Sequence, residues 1–124
     1  MRQHIPKIFF IIVLVLTIIL YGFSISPAEE TTPEKIITSR DSYDGKEISV
    51  KGTVSNIKIR TSTGGKNFTT FKIVGESGIR VNVFIWGRLT LQIGQKVEVT
   101  GIYRKIIRVD QRIYNNQIDA SVIK

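Results

Sequence analysis

A chain of 124 residues has room for one domain and not for two. It has no cysteine, which excludes disulfide staples and thiolate metal sites, so an apolar core must hold the fold. The formal net charge is +8; Arg2 and Lys7 are the only charged residues before Glu29, so residues 29–124 keep +6, a sign that suits anionic partners.

Residues 1–28 read as an address. Arg2 and Lys7 are followed by the uncharged apolar run Ile8 to Phe23, and Ser26-Pro27-Ala28 puts small residues before a cut at Glu29. A signal peptide and an N-terminal membrane anchor both fit. As a helix, residues 8–23 span ~24 Å and the whole uncharged stretch to Ala28 about 31 Å, against a bilayer core of about 30 Å. With the basic end held inside, either reading places the rest outside the cytoplasmic membrane, secreted, periplasmic or tethered through residues 8–23. The only histidine, His4, belongs to this segment.

Residues 29–42 read as a polar linker and a short helix. Thr32-Pro33-Glu34 supplies a capping hydroxyl, a proline at the first helical position and an acid in the first turn, and the helix is predicted to run to about Arg40. From Lys46 the apolar period is two. Ile48, Val50, Gly52 and Val54 alternate with polar residues, and after Ser55-Asn56 the parity passes to Ile57 and Ile59, which predicts a bulge in one long strand. Thr63 to Lys66 is a turn. A second strand, Phe68 to Val74, sets Phe71 and Ile73 against Phe68, Thr70 and Lys72. A third sets Ile79, Val81, Val83 and Ile85 against Arg80, Asn82, Phe84 and Trp86. A fourth follows Gly94 with Val97, Val99, Gly101 and Tyr103 on one face, and Ile118, Ala120 and Val122 mark a fifth. Five short strands with turns between them predict an all-β barrel or sandwich.

Two phrases narrow that choice. Gly45-Lys46-Glu47-Ile48-Ser49-Val50-Lys51-Gly52-Thr53-Val54 resembles the opening strand of OB-fold nucleic-acid-binding domains of the tRNA-anticodon-binding type, where a glycine lets the strand bend across both halves of the barrel. Ile93-Gly94-Gln95-Lys96-Val97-Glu98-Val99-Thr100-Gly101 is similar to their fourth strand. The resemblance implies a five-stranded OB-type Greek-key barrel over residues 43–124. Gly87 to Gly94 is too short for the helix that many OB barrels carry there, so the Pro33–Arg40 helix is expected to plug the barrel instead.

Catalysis finds little to work with. Past the leader there is no histidine or cysteine, and Asp41, Asp44, Asp110 and Asp119 stand in no catalytic spacing. Thr63 to Lys66 lacks the Gly-Lys-Ser/Thr ending of a phosphate loop. A non-enzymatic module without cofactor or metal is expected. OB-type haem chaperones attach haem through a histidine near the end of the barrel, a place that His4 cannot fill.

Parity selects an outer face. If Val81 and Val83 point inward, Arg80, Phe84 and Trp86 point outward; the reverse register would bury the Arg80 guanidinium at a cost of several kcal/mol. Phe68 and Lys72 join this face from the second strand. The flanking connections are basic, with Lys58, Arg60 and Lys66 on one side and Arg104, Lys105, Arg108 and Arg112 on the other, between Tyr103 and Tyr114. The candidate nucleic-acid-binding set is therefore Phe68, Phe84 and Trp86 for stacking, with Lys58, Arg60, Lys72, Arg80, Arg104, Lys105 and Arg108 for charge. Single-stranded nucleic acid or a similar anionic polymer is the expected ligand. A second reading gives the same face to an envelope protein partner, with Phe84 and Trp86 covered by the N-terminal helix or by that partner. The Arg104–Arg112 run would then be a solvated hairpin or a contact for anionic lipid headgroups. Asn67-Phe68-Thr69 also fits the N-glycosylation triplet, which would crowd this face.

Overall fold

The computed structural model describes residues 27–124. The expected leader, with its apolar run Ile8 to Phe23, lies outside the described residues except for Pro27 and Ala28. Among the described residues no helix is long and apolar enough to cross a membrane.

In chain order the elements are β1 (Glu29–Thr31), α1 (Pro33–Thr38), α2 (Arg40–Tyr43), β2 (Glu47–Thr61), β3 (Asn67–Val74), β4 (Arg80–Trp86), β5 (Lys96–Val109) and β6 (Arg112–Ile123). The strands neighbour one another in the order β1-β2-β3-β4-β6-β5, and β5 returns to pair with β2. Strands β2 to β6 thus close into the expected five-stranded barrel, with β4 and β6 parallel and the other barrel pairs antiparallel.

Closure depends on β2 serving both halves. Glu47 to Thr53 pair with β5, and Thr53 to Thr61 pair with β3. At the pivot, a Cβ on Gly52 would stand 2.6 Å from Ile73 Cγ1 and 2.7 Å from the Val74 carbonyl oxygen, so only bare backbone fits. The register slips between Ser55 and Lys58, and Asn56 takes φ of 53°, which is the bulge predicted from the parity change.

Alternation along the strands becomes burial. Ile48, Val50, Val54, Phe71, Ile73, Val81, Val83, Val97, Val99, Tyr103 and Ile118 form one core cluster. Ile36 of α1 joins it with no exposed surface, so the short helix supplies part of the core. Two contacts hold α1 in place. The Thr32 hydroxyl caps its first turn by accepting from the Lys35 amide at 3.2 Å. The Glu34 carboxylate accepts from the Ser77 hydroxyl at 2.6 Å and the Ser77 amide at 3.1 Å, and these bonds hold its pKa below the usual carboxylate range.

Three features differ from the sequence reading. The stretch read as a polar linker contains β1, which pairs parallel with Ile48 to Val50; a strand pairs through its main chain, so exposed Glu29 and Glu30 do not prevent it. Ile79 precedes β4 and is exposed, and Ile85 is only half-buried, because both lie at the ends of the strand rather than over the core. The stretch from Arg104 to Arg112, read first as a basic connection and in the second reading as a solvated hairpin, is strand almost throughout, as the hairpin reading has it. β5 and β6 continue past the barrel as a two-stranded arm closed by a tight turn at Asp110-Gln111.

Candidate nucleic-acid interface

The register of β3 and β4 assembles the outer face in rows. Phe68 stands opposite Trp86, Thr70 opposite Phe84, Lys72 opposite Asn82, and Val74 opposite Arg80. Directly opposed residues share a face, so the parity argument is met: Val81 and Val83 are buried, while Trp86 is 57% exposed. No segment of the described chain covers the indole, so the N-terminal helix does not lie over it as one half of the second reading had it.

The three rings pack on one another. Phe68 and Phe84 stack with centroids 5.1 Å apart at 29°, and Trp86 meets Phe84 edge-on at 5.1 Å and 88°. Phe68 and Trp86 lie 6.1 Å apart at 79°. These geometries suit the ring quadrupoles, and they fix the orientation of the exposed indole.

Cations border the rings from β2. Arg60 is opposite Phe68 and Lys58 is opposite Thr70, so both lie on the strand itself rather than in the connection where the sequence reading put them. The turn from Ser62 to Lys66, closed by the Ser62 amide donating to the Lys66 carbonyl at 2.7 Å, folds Lys66 back over the face. Its Nζ stands 6.0 Å from the centre of the Trp86 ring, at the limit of a cation–π contact. Lys66 had been counted among the basic residues but not in the candidate set; the Gly64-Gly65 turn that directs it was the available signal.

On the far side the candidates divide. Gln117 and Asp119 of β6 stand opposite Asn82 and Phe84. Arg104 reaches this face, but its Nε donates to Asp119 Oδ2 at 3.1 Å, and Gln117 Nε2 donates to Asp119 Oδ1 at 2.9 Å. Asp119, which the sequence reading left among the structural acids, thus balances one cation of the set. Arg80 and Arg108 are exposed, Arg80 at the start of β4 and Arg108 on the arm. Lys105 is not on the face. Its parity is that of Tyr103, and its Nζ meets Asp41 Oδ1 at 2.6 Å while its amide donates to Asp44 Oδ1 at 2.9 Å. The bond from Lys105 draws the Asp41 pKa below its usual value. Tyr103, placed by the sequence reading at the edge of the groove, is fully buried in the core. Among the described residues no group of three or more His, Cys, Asp or Glu could hold a metal ion.

No protein-family model matches the chain, and no curated protein sequence matches it. Among solved structures it is similar to the crystal structure of yeast Stn1 and Ten1, with a TM-score of 0.60 and 13% sequence identity over 80% of this chain. The chain spans 63% of the length of the matched chain. A likeness at this identity is one of fold, and the fold is an all-β barrel of the OB type. The placement outside the cytoplasmic membrane, expected from the leader, is corrected: the solved structure that the barrel is similar to is of a yeast protein pair, and the leader itself is outside the described residues.

Proposed function

We propose that the chain is a non-enzymatic OB-type module that binds single-stranded nucleic acid across the outer face of β3 and β4, as the tRNA-anticodon-binding domains it resembles would. The observation that carries this reading is the exposed indole of Trp86, set on two phenylalanines in a face whose cations are free to meet phosphate. Lys58, Arg60, Lys66, Lys72 and Arg80 form no ion pair among the described residues, whose four salt bridges use Lys46, Lys51, Arg104 and Lys105. Bases stack on the rings without regard to sequence, each contributing about 1–3 kcal/mol. The cations hold the backbone. Arg104 adds less, because Asp119 already occupies it.

Trp86 is the only tryptophan, so its emission reports on this face. Titrating the full chain with a short thymidine oligonucleotide at low salt is expected to quench it. Three or four phosphate contacts set a log–log salt slope of about −2 to −3. Trp86→Ala, followed by anisotropy of a labelled oligonucleotide, is expected to weaken binding by about 1–3 kcal/mol, roughly 5- to 150-fold. An emission that stays constant up to millimolar oligonucleotide would refute the proposal.

A further inference from the structure

The arm presents a second surface, different in kind from the aromatic face. β2 accompanies β5 only to its start: Glu47 pairs with Ile102, and Lys46 and Gly45 close the ladder on Tyr103. Beyond Tyr103 the only strand beside β5 among the described residues is β6, through Ile106–Asn115, Ile107–Tyr114, Arg108–Ile113 and Val109–Arg112. In an antiparallel ladder successive residues turn their N–H and C=O groups to opposite sides. Val109 and Arg112 flank the two-residue turn as a mutually bonded pair, so Val109 and Ile107 bond toward β6. The alternation set by Tyr103 breaks where the ladder skips Lys105 and Asn116, and Ile106 and Arg108 turn to the open side. The Lys105 amide finds a carboxylate there, Asp44 Oδ1 at 2.9 Å. No described backbone or side-chain group bonds the amides of Ile106 and Arg108 on that side, and the edge they form is open.

The side chains around this edge are apolar and basic. Ile106, Val109, Ile113 and Tyr114 are all exposed. Arg108 and Arg112 are exposed as well and join none of the four salt bridges among the described residues. An open row of backbone donors and acceptors flanked by aliphatic side chains is a template for an added strand, and main-chain pairing is a group that a peptide offers and a nucleic acid does not. The unpaired arginines select the charge of that peptide. They also disfavour a second copy of this chain, since arm against arm would set arginine beside arginine. We propose that the β5 edge from Lys105 to Val109 accepts an extended acidic peptide, alternating with aliphatic residues, as an additional antiparallel strand.

The test uses the full chain and a short capped peptide alternating glutamate and valine, with amide exchange read residue by residue. At about 1 mM peptide, exchange at Ile106 and Arg108 is expected to slow about tenfold or more, while Trp86 emission stays unchanged. Arg108→Glu, on the exposed arm, is expected to remove about tenfold of the affinity, and a lysine–valine peptide to give no protection. Unchanged exchange at these two amides, or equal protection by the lysine–valine peptide, would overturn the proposal. So would protection by an oligonucleotide in place of the peptide, which would assign the arm to nucleic acid. Because Trp86 emission and arm exchange are separate readouts, failure here leaves the reading of the aromatic face standing.

Discussion

Strands β5 and β6 pass through two settings. Within the barrel they are flanked by β2 and β4, and Val97, Val99, Tyr103 and Ile118 turn into the core, 5% exposed or less. Beyond Tyr103 the same two strands continue in the same register as the arm, where Ile106 is 55% and Ile113 59% exposed. The boundary is a joint. Asn116 takes φ of 51°, the buried Tyr103 hydroxyl donates to its Oδ1 at 2.6 Å, and Lys105 is tied to Asp44 and Asp41 of the α2 segment. Ladder hydrogen bonds alone carry a ribbon past the barrel, but each net bond contributes only about 1 kcal/mol, whereas burial of a large side chain contributes about 1.5–3 kcal/mol. For these two strands, buried apolar surface therefore belongs to the barrel side of the joint, and exposed apolar surface to the other.

The largest effect is expected where the barrel closes. A Cβ on Gly101 would collide with the Asp119 carbonyl oxygen and lie 2.6 Å from Ala120 Cα, and both are backbone atoms of the partner strand that cannot swing aside. Gly101→Ala is expected to cost about 3 kcal/mol or more, a fall in Tm of about 12–24 °C for a domain of this size. A thermal melt indistinguishable from the parent would mean that β5 and β6 do not approach as closely as the barrel requires.

Tyr103 gives the next effect, through pH. Burial pushes its pKa up to about 12, above the value of about 10 that the unfolded chain would show. Only the neutral phenol fits the core. Its contribution is therefore fully present below about pH 10 and is lost as pH rises through the folded value, an effect of about 2–3 kcal/mol in all. Denaturant midpoints measured from pH 9 to 12 are expected to fall over this window in the parent. Tyr103→Phe, which loses the bond to Asn116 but cannot ionise, is expected to start lower by about 1 kcal/mol and to lack this tyrosine-dependent part of the fall. Equal alkaline slopes in the two proteins would show that the phenol is not sealed in the barrel.

The contrast between barrel and arm also explains what could be read in the sequence. The core strands were legible because burial on one face imposes a period of two, and a glycine bend in the opening strand was implied by the resemblance; the close backbone approaches at Gly52 and Gly101 show only in the structure. Phe68, Phe84 and Trp86 followed from the same parity. The arm was only half legible: a solvated hairpin over Arg104 to Arg112 belonged to the second reading, but with no core behind it the stretch need not alternate cleanly, and a dense run of charge also looks like a loop. β1 escaped notice in the same way, since Glu29 and Glu30 contribute only backbone. Lys105 was misplaced where parity could have corrected it, for it stands two residues after Tyr103 and so points away from Arg104. The contact of Lys66 with Trp86 depends on the geometry of the Gly64-Gly65 turn, which spacing alone does not specify.

The smallest expected effect tests the comparison from its other side. Ile113 is a large aliphatic residue paired with Arg108 near the tip of the arm, and it has no core to leave. Truncating a buried counterpart such as Ile118 is expected to cost about 2–5 kcal/mol, through lost burial and the cavity left behind. Ile113→Ala removes the same atoms from water-exposed ribbon, so its effect on the denaturation midpoint is expected to stay within about 0.5 kcal/mol. Trp86 emission should stay as it is, because the indole lies on β4 and is packed by Phe68 and Phe84 rather than by the arm. A cost for Ile113→Ala approaching that for Ile118→Ala would mean that the arm is covered in solution, and the division drawn at the Lys105–Asn116 joint would then fail.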